Sequence, residues 1–432
     1  MQFKEVHKMD KKLDITKHPC FNSEVKGTYG RIHLPVAPKC NIQCNYCNRK
    51  YDCVNESRPG VTSAVLSPKQ AITYMEDVLK KEPRITTVGI AGPGDPMANP
   101  AETLTTLRLI RKNWPDMLLC LATNGLAIMP YIDDLAEIGI SHVTLTINAI
   151  DPNLVKLFYA WVRHEKVVYR GIQAAEVLLE QQFAAIRKLK ELGAIVKVNT
   201  IIVPGINDNH AAELAVTMAE MGVDLLNCMP MYPSPDTAFE NIPEPSAAMI
   251  NTIRKEAGRY IPQMLHCTRC RADAVGLLGQ DRSLEFHSCL VGNSRLKPAN
   301  EDRERPFVAV ASMEGALVNQ HLGKAEHLLI YKRVNGTYEL VEERKTPEPG
   351  TGGKRWFDLA SLLKDCKAVV VSAVGETPQT ILEEEGVRVI EMYGLIEDAL
   401  DIAFSGKEAR GFQKRKVSCT AKQCQGAGAG CG

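Results

Sequence analysis

The sequence lacks a long apolar run and carries almost no net charge, and both features narrow the possible functions. No stretch of eighteen or more apolar residues occurs in the 432 residues, which excludes a predicted transmembrane helix. The N-terminal sequence MQFKEVHKMDKKLD has no apolar centre of the kind that signal peptides contain, so we expect a cytoplasmic protein that does not contact a membrane. Fifty-two Lys and Arg against fifty-one Asp and Glu give a formal charge of +1, which provides no electrostatic basis for nucleic acid as a partner. We therefore expect a small or inorganic ligand.

Cysteine, in contrast, is abundant. Fourteen cysteines in a chain without a predicted signal peptide favour metal or redox chemistry over a disulfide framework, because the cytosol keeps thiols reduced. Cys228, Cys289 and Cys366 are scattered, and we expect them to be buried structural residues. The stretch CNIQCNYCNRKYDC is different, because it places four cysteines in fourteen residues, from Cys40 to Cys53.

Short β-rich runs alternate with helical periods between Arg31 and Tyr232. Six such runs predict six parallel strands joined by helices, and therefore a partial barrel whose active site lies at the C-terminal ends of its strands. The predicted strands are RIHLPVAP, TTVGIAGP, MLLCLATNG, HVTLTINA, IVKVNTIIVPG and DLLNCMPMYP. The predicted helices lie around Lys69–Lys80, Glu102–Lys112, Gly171–Leu192 and Asn209–Met221.

Composition changes along the chain predict five segments. A polar stretch, NSRLKPANEDRERP, predicts a linker, and the strands and helices that follow it predict a small second α/β domain. The predicted segments are an N-terminal segment at 1–30, the partial barrel with its extension at 31–292, the linker at 293–306, the second domain at 307–406 and a flexible Cys/Gly-rich tail at 407–432.

The first three cysteines of the cluster, Cys40, Cys44 and Cys47, form C-x3-C-x2-C directly after the first predicted strand. Three thiolates can hold three irons of a 4Fe-4S cubane and leave the fourth iron open for a substrate. A structural zinc site is the alternative, although it would normally need a fourth ligand at a paired spacing.

This loop, with Tyr46 before its last cysteine, resembles that of the radical S-adenosylmethionine (radical SAM) enzymes. The resemblance implies a 4Fe-4S cluster that binds S-adenosylmethionine and reduces it to a 5′-deoxyadenosyl radical. It also implies that the glycine-rich loop IAGPGDP meets the methionyl group and that later strands contact the adenosine. The implied cofactor-binding residues are Tyr46, Gly92, Pro93, Gly94, Asp95, Thr123, Asn124, Asn148 and Asn199.

A longer set of motifs resembles the NifB family of nitrogenase-cofactor maturases. The motifs are HPCFN, CNIQCNYCNRKYDCVNESRPGV, IAGPGDP, VPGIND and HCTRCRADAVGLLG. The resemblance implies that two further 4Fe-4S clusters are fused into the eight-iron precursor of FeMo-cofactor, with a carbide from the S-adenosylmethionine methyl group and one added sulfur.

The same resemblance implies ligands for three 4Fe-4S clusters in all. Cys40, Cys44 and Cys47 hold the radical SAM cluster. Cys20, His33 and Cys120 hold one auxiliary cluster, and Cys53, Cys267 and Cys270 hold the other. Glu56, Ser57 and Arg58 would support the clusters without binding iron.

The second domain resembles NifX and NafY, which carry the cofactor or its precursors. The resemblance implies a ribonuclease-H-like fold and a contact between His321, near Met313, and the product cluster. Cys419, Cys424 and Cys431 in the tail could pass on iron or have no function. Implied partners are cluster donors, cofactor carrier or scaffold proteins of nitrogenase assembly, and an electron donor such as a ferredoxin or flavodoxin.

Two other functions remain open at this point. A radical SAM peptide maturase with auxiliary clusters would need a peptide-recognition domain, and only about thirty residues precede the first predicted strand. A cluster carrier without catalysis would not need the loops IAGPGDP and TNG, which are typical of a nucleoside pocket.

Overall fold

The computed structural model describes residues 13–48, 64–267, 270–296, 305–334, 336–348 and 354–405. The chain forms two compact units, Met1–Lys297 and Pro298–Gly432, and each is described by itself. Among the described residues, no helix is both long and apolar enough to cross a membrane.

The first unit is built on a sheet of six parallel strands in the order β1-β3-β4-β5-β8-β9, with helices in the connections. The antiparallel strands β10 and β11 extend the sheet beyond β1. The strands are β1 (Gly30–His33), β2 (Ile42–Cys44), β3 (Ile85–Ile90), β4 (Leu118–Thr123), β5 (His142–Thr146), β6 (Tyr159–His164), β7 (Val167–Tyr169), β8 (Ile195–Ile202), β9 (Leu225–Pro230), β10 (Val275–Leu277) and β11 (Gln280–Asp281). The helices are α1 (Pro68–Lys81), α2 (Pro100–Asn113), α3 (Ile132–Ile138), α4 (Pro152–Phe158), α5 (Gly171–Glu191), α6 (Ala211–Glu220), α7 (Ala247–Ala257) and α8 (Ser283–Ser294).

The predicted partial barrel is confirmed, and local sequence explains its elements. Helix α1 begins where Ser67 accepts a hydrogen bond from the Gln70 backbone and the Gln70 side chain bonds back to the Ser67 backbone, which is a capping box. Strand β5 is buried along its whole length, as expected for a central strand covered on both faces.

A three-stranded sheet, β2-β6-β7, stands beside the barrel and was not predicted. Its strand β2 belongs to the cysteine loop and pairs with β6 in antiparallel register. The β6–β7 turn places Glu165 and Lys166 at φ values of 47° and 71°, a conformation usually signalled by Asn-Gly or Gly, so the sequence carried no turn signal.

The second unit is the predicted small α/β domain. A five-stranded sheet runs in the order β15-β14-β12-β16-β17. Strands β12, β16 and β17 are parallel to one another, β14 pairs with β12 in antiparallel orientation, and β15 pairs with β14 in antiparallel orientation. The strands are β12 (Phe307–Val310), β13 (Leu317–Val318), β14 (His327–Val334), β15 (Thr337–Lys345), β16 (Cys366–Val371), β17 (Arg388–Glu391) and β18 (Gly394–Leu395), and the helices are α9 (Lys354–Leu362), α10 (Glu376–Glu384) and α11 (Ile396–Ser405).

Candidate cluster and cofactor site

Polar side chains occupy neighbouring positions inside the half-barrel, where branched apolar residues would ordinarily fill the core. His33 of β1 pairs in register with Gly89 of β3, Gly89 with Cys120 of β4, and Cys120 with His142 of β5. Lys197 of β8 lies close enough to influence the electrostatics of His33 and His142. A barrel interior with these side chains is suited to binding a polar ligand or a metal cluster.

A cavity opens at this level of the barrel, with about 530 Å³ of space between atoms, part of it continuous with solvent. It brings together five of the six residues predicted to hold auxiliary clusters, although they come from distant parts of the chain. These are Cys20, His33, Cys120, Cys267 and Cys270.

His33 is prepared to act as a metal ligand through Nε2. Its Nδ1 lies 2.8 Å from the backbone carbonyl oxygen of Arg271, and because a carbonyl only accepts, Nδ1 carries the proton and Nε2 the lone pair. Burial, followed by the nearby Arg31 cation, lowers the pKa of His33 to about 4, so the ring is neutral at physiological pH. A neutral imidazole is the form that binds iron.

Gly89 lies between the side chains of His33 and Cys120. A Cβ atom at this position would lie 2.9 Å from His33 Cδ2 and 3.0 Å from Cys120 Sγ, closer than real Cβ contacts. The two predicted ligands therefore converge on a space that only glycine leaves open.

Cys270 is held by Arg31, a side chain that sequence reasoning missed. Arg31 is only 1% exposed, and its Nε and Nη2 atoms lie 3.3 Å and 3.1 Å from Cys270 Sγ. Its Nη1 donates to the carbonyl oxygens of Gly276 and Leu277.

Further residues in the cavity wall, and His142 next to one of them, were also missed. The Lys197 ammonium lies 5.2 Å from the centre of the Phe21 ring, and the rings of His18 and His142 are 4.3 Å apart. Burial lowers the pKa of His142 to about 3, with a smaller contribution from Lys197. A signal for these residues existed, because Arg31 and His33, and likewise Lys197 and Asn199, are polar residues two apart on otherwise apolar strands and therefore share a face.

The Cys40–Cys47 loop is held in shape by hydrogen bonds from one of its own side chains. Gln43 Nε2 donates to the carbonyl oxygens of Cys44 and Cys47 and so closes the loop from inside. Burial raises the pKa of the Cys44 thiol, and the nearby Cys47 and Cys40 raise it further. The three sulfurs are therefore close enough to act on one another.

Tyr46 and Asn148 anchor this loop to the barrel. The Tyr46 side chain is fully buried against Phe158 and Phe239, and its hydroxyl oxygen lies 3.1 Å from Asn148 Nδ2. Asn148 Oδ1 accepts from the backbone of Ile201. Both side chains thus help to fix the position of the cysteine loop, and their contact with the cofactor stays a prediction.

The glycine-rich loop after β3 is joined to the segment that precedes Cys40. The Gly94 N–H donates to the Ala37 carbonyl at 2.6 Å, and the Asp95 N–H donates to the Lys39 carbonyl at 2.8 Å. A Cβ on Gly94 would lie 2.1 Å from the Lys39 oxygen, so the approach requires glycine. The glycine-rich loop and the cysteine loop, both predicted to bind the cofactor, are therefore held together by backbone hydrogen bonds.

Asp95 extends this connection to the loop after β4. Its buried carboxylate accepts hydrogen bonds from Thr123 Oγ1 at 2.9 Å and from the Asn124 backbone at 2.6 Å. The Asn124 side chain in turn donates to Asn41 in the cysteine loop. Asn199 accepts from Asn227 Nδ2 at 3.0 Å and lines the cavity.

The thiols of the Cys40–Cys47 loop fit the protein ligands of a 4Fe-4S cubane that leaves one iron open, because such a cluster takes one thiolate on each of three irons. Cys40, Cys44 and Cys47 lie in one loop that Gln43 closes, and Cys40 and Cys47 are near enough to raise the pKa of the Cys44 thiol.

The scattered cysteines behave differently. Burial raises the pKa values of Cys228 and Cys366 to about 12, so both are protonated at neutral pH. Cys289 Sγ lies 3.8 Å from Asp77 on α1. Cys53, Glu56, Ser57, Arg58 and the tail cysteines Cys419, Cys424 and Cys431 lie outside the described residues.

In the second unit, His321 sits at the start of a short 3-10 helix, Leu322–Lys324, and is half-buried. Its Nδ1 accepts the Gly323 N–H at 2.9 Å, so the neutral ring carries its proton on Nε2. In this conformation His321 offers an N–H donor, the opposite of His33. Met313 is 73% exposed on the loop after β12.

Comparison with known proteins gives a consistent result over nearly the whole chain. The radical SAM superfamily model matches residues 34–218, and the dinitrogenase iron-molybdenum cofactor model matches residues 304–406. The FeMo cofactor biosynthesis protein NifB of Chlorobaculum tepidum is 53% identical over 422 residues, which cover 97% of this chain and 99% of that protein. The protein of the same name from Klebsiella pneumoniae is 40% identical over 401 residues, which cover 86% of each. Among solved structures, methylornithine synthase aligns with 64% of this chain and 77% of its own at 14% identity and a TM-score of 0.38, too low to support an argument.

Proposed function

The chain belongs to the NifB family of radical SAM proteins of FeMo-cofactor biosynthesis, and from that premise we propose that it fuses two 4Fe-4S clusters into the eight-iron precursor of the cofactor. In this reaction a carbide derived from the methyl group of S-adenosylmethionine and one added sulfur enter the product. The observation that carries the proposal is the cavity in the half-barrel, because it gathers Cys20, His33, Cys120, Cys267 and Cys270 inside the same barrel that carries the radical SAM loop.

Cys40, Cys44 and Cys47 would hold the radical SAM cluster, which supplies one electron for cleavage of a carbon–sulfur bond of S-adenosylmethionine. The protein positions that chemistry. The bonds between Gly94 and Ala37 and between Asp95 and Lys39 fix the glycine-rich loop against the cysteine loop. The glycine-rich loop would then meet the methionyl group, while Asn199 lines the cavity.

The two substrate clusters would be held by two sets of ligands. Cys20, His33 and Cys120 would hold one, and Cys267, Cys270 and Cys53 the other. A histidine ligand suits a cluster that must later leave, because neutral imidazole binds iron less firmly than thiolate does. Within the first set, Gly89 keeps the space between His33 and Cys120 clear of side-chain atoms.

The second unit would bind the eight-iron product after its formation. Residues 304–406 match the dinitrogenase iron-molybdenum cofactor family model, and His321 presents an N–H that can donate to a cluster sulfide or, in the other tautomer, a nitrogen ligand. Cluster donors, a ferredoxin or flavodoxin and downstream carrier or scaffold proteins of nitrogenase assembly would be the partners.

The proposal is tested with anaerobically reconstituted protein in which Cys267 and Cys270 are both replaced by Ala. We expect iron to fall by about one cubane's worth, the radical SAM cluster to persist and the eight-iron product to disappear, since thiolates at C-x2-C spacing share one metal centre. Iron quantitation, electron paramagnetic resonance and product assay are the measurements. A Cys289→Ala variant, which changes a thiol outside the cavity, serves as the control. Unchanged iron together with continued product formation would refute the ligand assignment.

A further inference from the structure

The side-chain partner of the Arg31 guanidinium is a cysteine sulfur and not a carboxylate. Its side chain is 1% exposed, and a buried cation requires compensation by a negative partner. Nη1 is satisfied by the Gly276 and Leu277 carbonyls, whereas Nε and Nη2, the two parallel donors of the guanidinium fork, lie 3.3 Å and 3.1 Å from Cys270 Sγ. A neutral thiol is a weak acceptor, but a thiolate bound to iron is an anion that can accept both bonds.

The nearest alternative partner is Asp281, which also raises the pKa of Arg31, although burial opposes the increase and Cys270 contributes more. The Asp281 carboxylate, however, accepts from the backbone and hydroxyl of Ser283 at 3.0 Å and 2.8 Å. The direct hydrogen bonds of Arg31 to a side chain all go to Cys270.

Strand β1 connects Arg31 to the other predicted cluster site. His33, two residues along on the same face, donates from Nδ1 to the carbonyl of Arg271, the residue that follows Cys270. One short strand thus holds the Cys270–Arg271 segment at two adjacent points, once through the sulfur and once through the backbone.

We propose that Arg31 is a positioning residue for the auxiliary cluster bound by Cys270, where its two N–H···S hydrogen bonds fix the ligand sulfur and raise the cluster's reduction potential. Hydrogen bonds to the sulfurs are one of the means by which proteins set such potentials, and residues that orient metal ligands contribute strongly to metal retention. The bond from His33 to Arg271 then links the geometry of the two auxiliary sites. This inference rests on the proposed function, because it requires iron at Cys270.

The test uses full-length, anaerobically reconstituted protein. A Cys270→Ala variant first identifies which paramagnetic signal depends on Cys270. Arg31→Met is then expected to lower the reduction potential of that signal and to speed its loss to an iron chelator by about 10–100-fold, while the radical SAM cluster, recognised by its response to S-adenosylmethionine, keeps its potential. Arg31→Lys, which keeps the charge but loses the fork, should give an intermediate result. Arg84→Met, at a half-exposed arginine paired with Glu82, is the matched control and should match the wild type.

The outcomes separate the two proposals. If Cys270→Ala removes neither iron nor a signal, the proposed ligand set fails, and the role of Arg31 fails with it. If a Cys270-dependent cluster exists but keeps its wild-type potential and retention in Arg31→Met, only the inference about Arg31 is overturned. Equal shifts in all clusters would show a general packing defect and would also overturn it. Should Arg31→Met not fold, a wild-type result for Arg31→Lys overturns the inference.

Discussion

At the scale of single residues, the two histidines predicted to contact clusters are suited to opposite tasks. His33 donates through Nδ1 and keeps a lone pair on Nε2, whereas His321 accepts at Nδ1 and keeps a proton on Nε2. The sequence predicted both residues as cluster contacts, but it could not predict this difference, because the tautomer is set by a backbone group brought near by folding. For His33 that group belongs to Arg271, far along the chain.

The buried histidines predict a loss of stability in acid. The folded pKa of His142 is about 3, below the ordinary value of 6.5, so between these values the unfolded chain binds a proton that the folded chain does not. Stability is therefore complete above pH 6.5 and falls as the pH decreases toward 3. We expect about 1 kcal/mol of lost stability per pH unit between pH 6 and 4 from this residue. His142→Gln should reduce the slope of unfolding free energy against pH, measured by denaturant titration. His287→Gln, at an exposed position on α8, is the control substitution.

Gly89 provides a second residue-scale prediction. The Cβ of Gly89→Ala would press on His33 and on Cys120 Sγ, so we expect weaker retention of the cluster at the Cys20, His33 and Cys120 site, by about tenfold or more. Chelator-challenge kinetics with iron quantitation would measure this. Gly292→Ala is the control, because a Cβ there meets nothing within 4 Å. Equal retention in the two variants would argue against convergence of the ligands at Gly89.

At the scale of elements, the close contact between the glycine-rich loop and the segment before Cys40 predicts that a change in one loop displaces the other. A Cβ on Gly94 would lie 2.1 Å from the Lys39 carbonyl oxygen and 2.6 Å from its carbon, and neither backbone atom can move without displacing Cys40. We expect Gly94→Ala to lower the rate of 5′-deoxyadenosine formation by about 100-fold, the typical cost of a misplacement near 1 Å. Chromatographic assay of 5′-deoxyadenosine after reduction would check this. Gly27→Ala, with open space around the new Cβ, should retain the wild-type rate.

The elements also show what local pattern can and cannot predict. The six parallel strands could be predicted because each is a short apolar run followed by a helical period. The β6–β7 hairpin could not, since its turn is formed by Glu165 and Lys166 without glycine. Helix α10, Glu376–Glu384, likewise lacks a local start signal, because its N-cap is Gly375, which forms no side-chain cap hydrogen bond. Local signals alone therefore indicate the barrel better than the additions that enclose the cysteine loop.

The candidate site divides in the same way. Cys40, Cys44 and Cys47 could be identified from spacing, because their sequence separation already requires proximity. The connection of Arg31 to Cys270 spans 239 residues and has no local signal. The role of Cys53 stays a prediction.

At the scale of the whole molecule, division into two compact units predicts a division of labour. A chain that ends at Lys297, the last residue of the first unit, should still form 5′-deoxyadenosine and the eight-iron precursor, because the predicted ligands of all three clusters precede that point. It should pass the product on less efficiently, since a tethered acceptor provides an effective concentration that can reach roughly millimolar. Transfer to an added carrier protein and loss to a chelator are the measurements.

His321→Ala in the full chain should reproduce part of that transfer defect, whereas His327→Ala, at an exposed position on β14, should not. A folded, iron-loaded truncated protein that makes no precursor would show that the second unit takes part in the reaction itself.

The separation of Arg31 from Cys270 along the chain also has a consequence during protein synthesis. Ribosomes add about 5–20 residues per second, so on the order of 10–50 seconds pass between the appearance of the two residues. Cys20 is already translated when that interval begins and Cys120 is translated during it, but the wall formed by Cys267, Cys270 and β10 stays incomplete throughout. The cavity can close only after translation has passed β10. We therefore expect the auxiliary clusters to be loaded late, with the early thiols open to oxidation in the nascent chain until then.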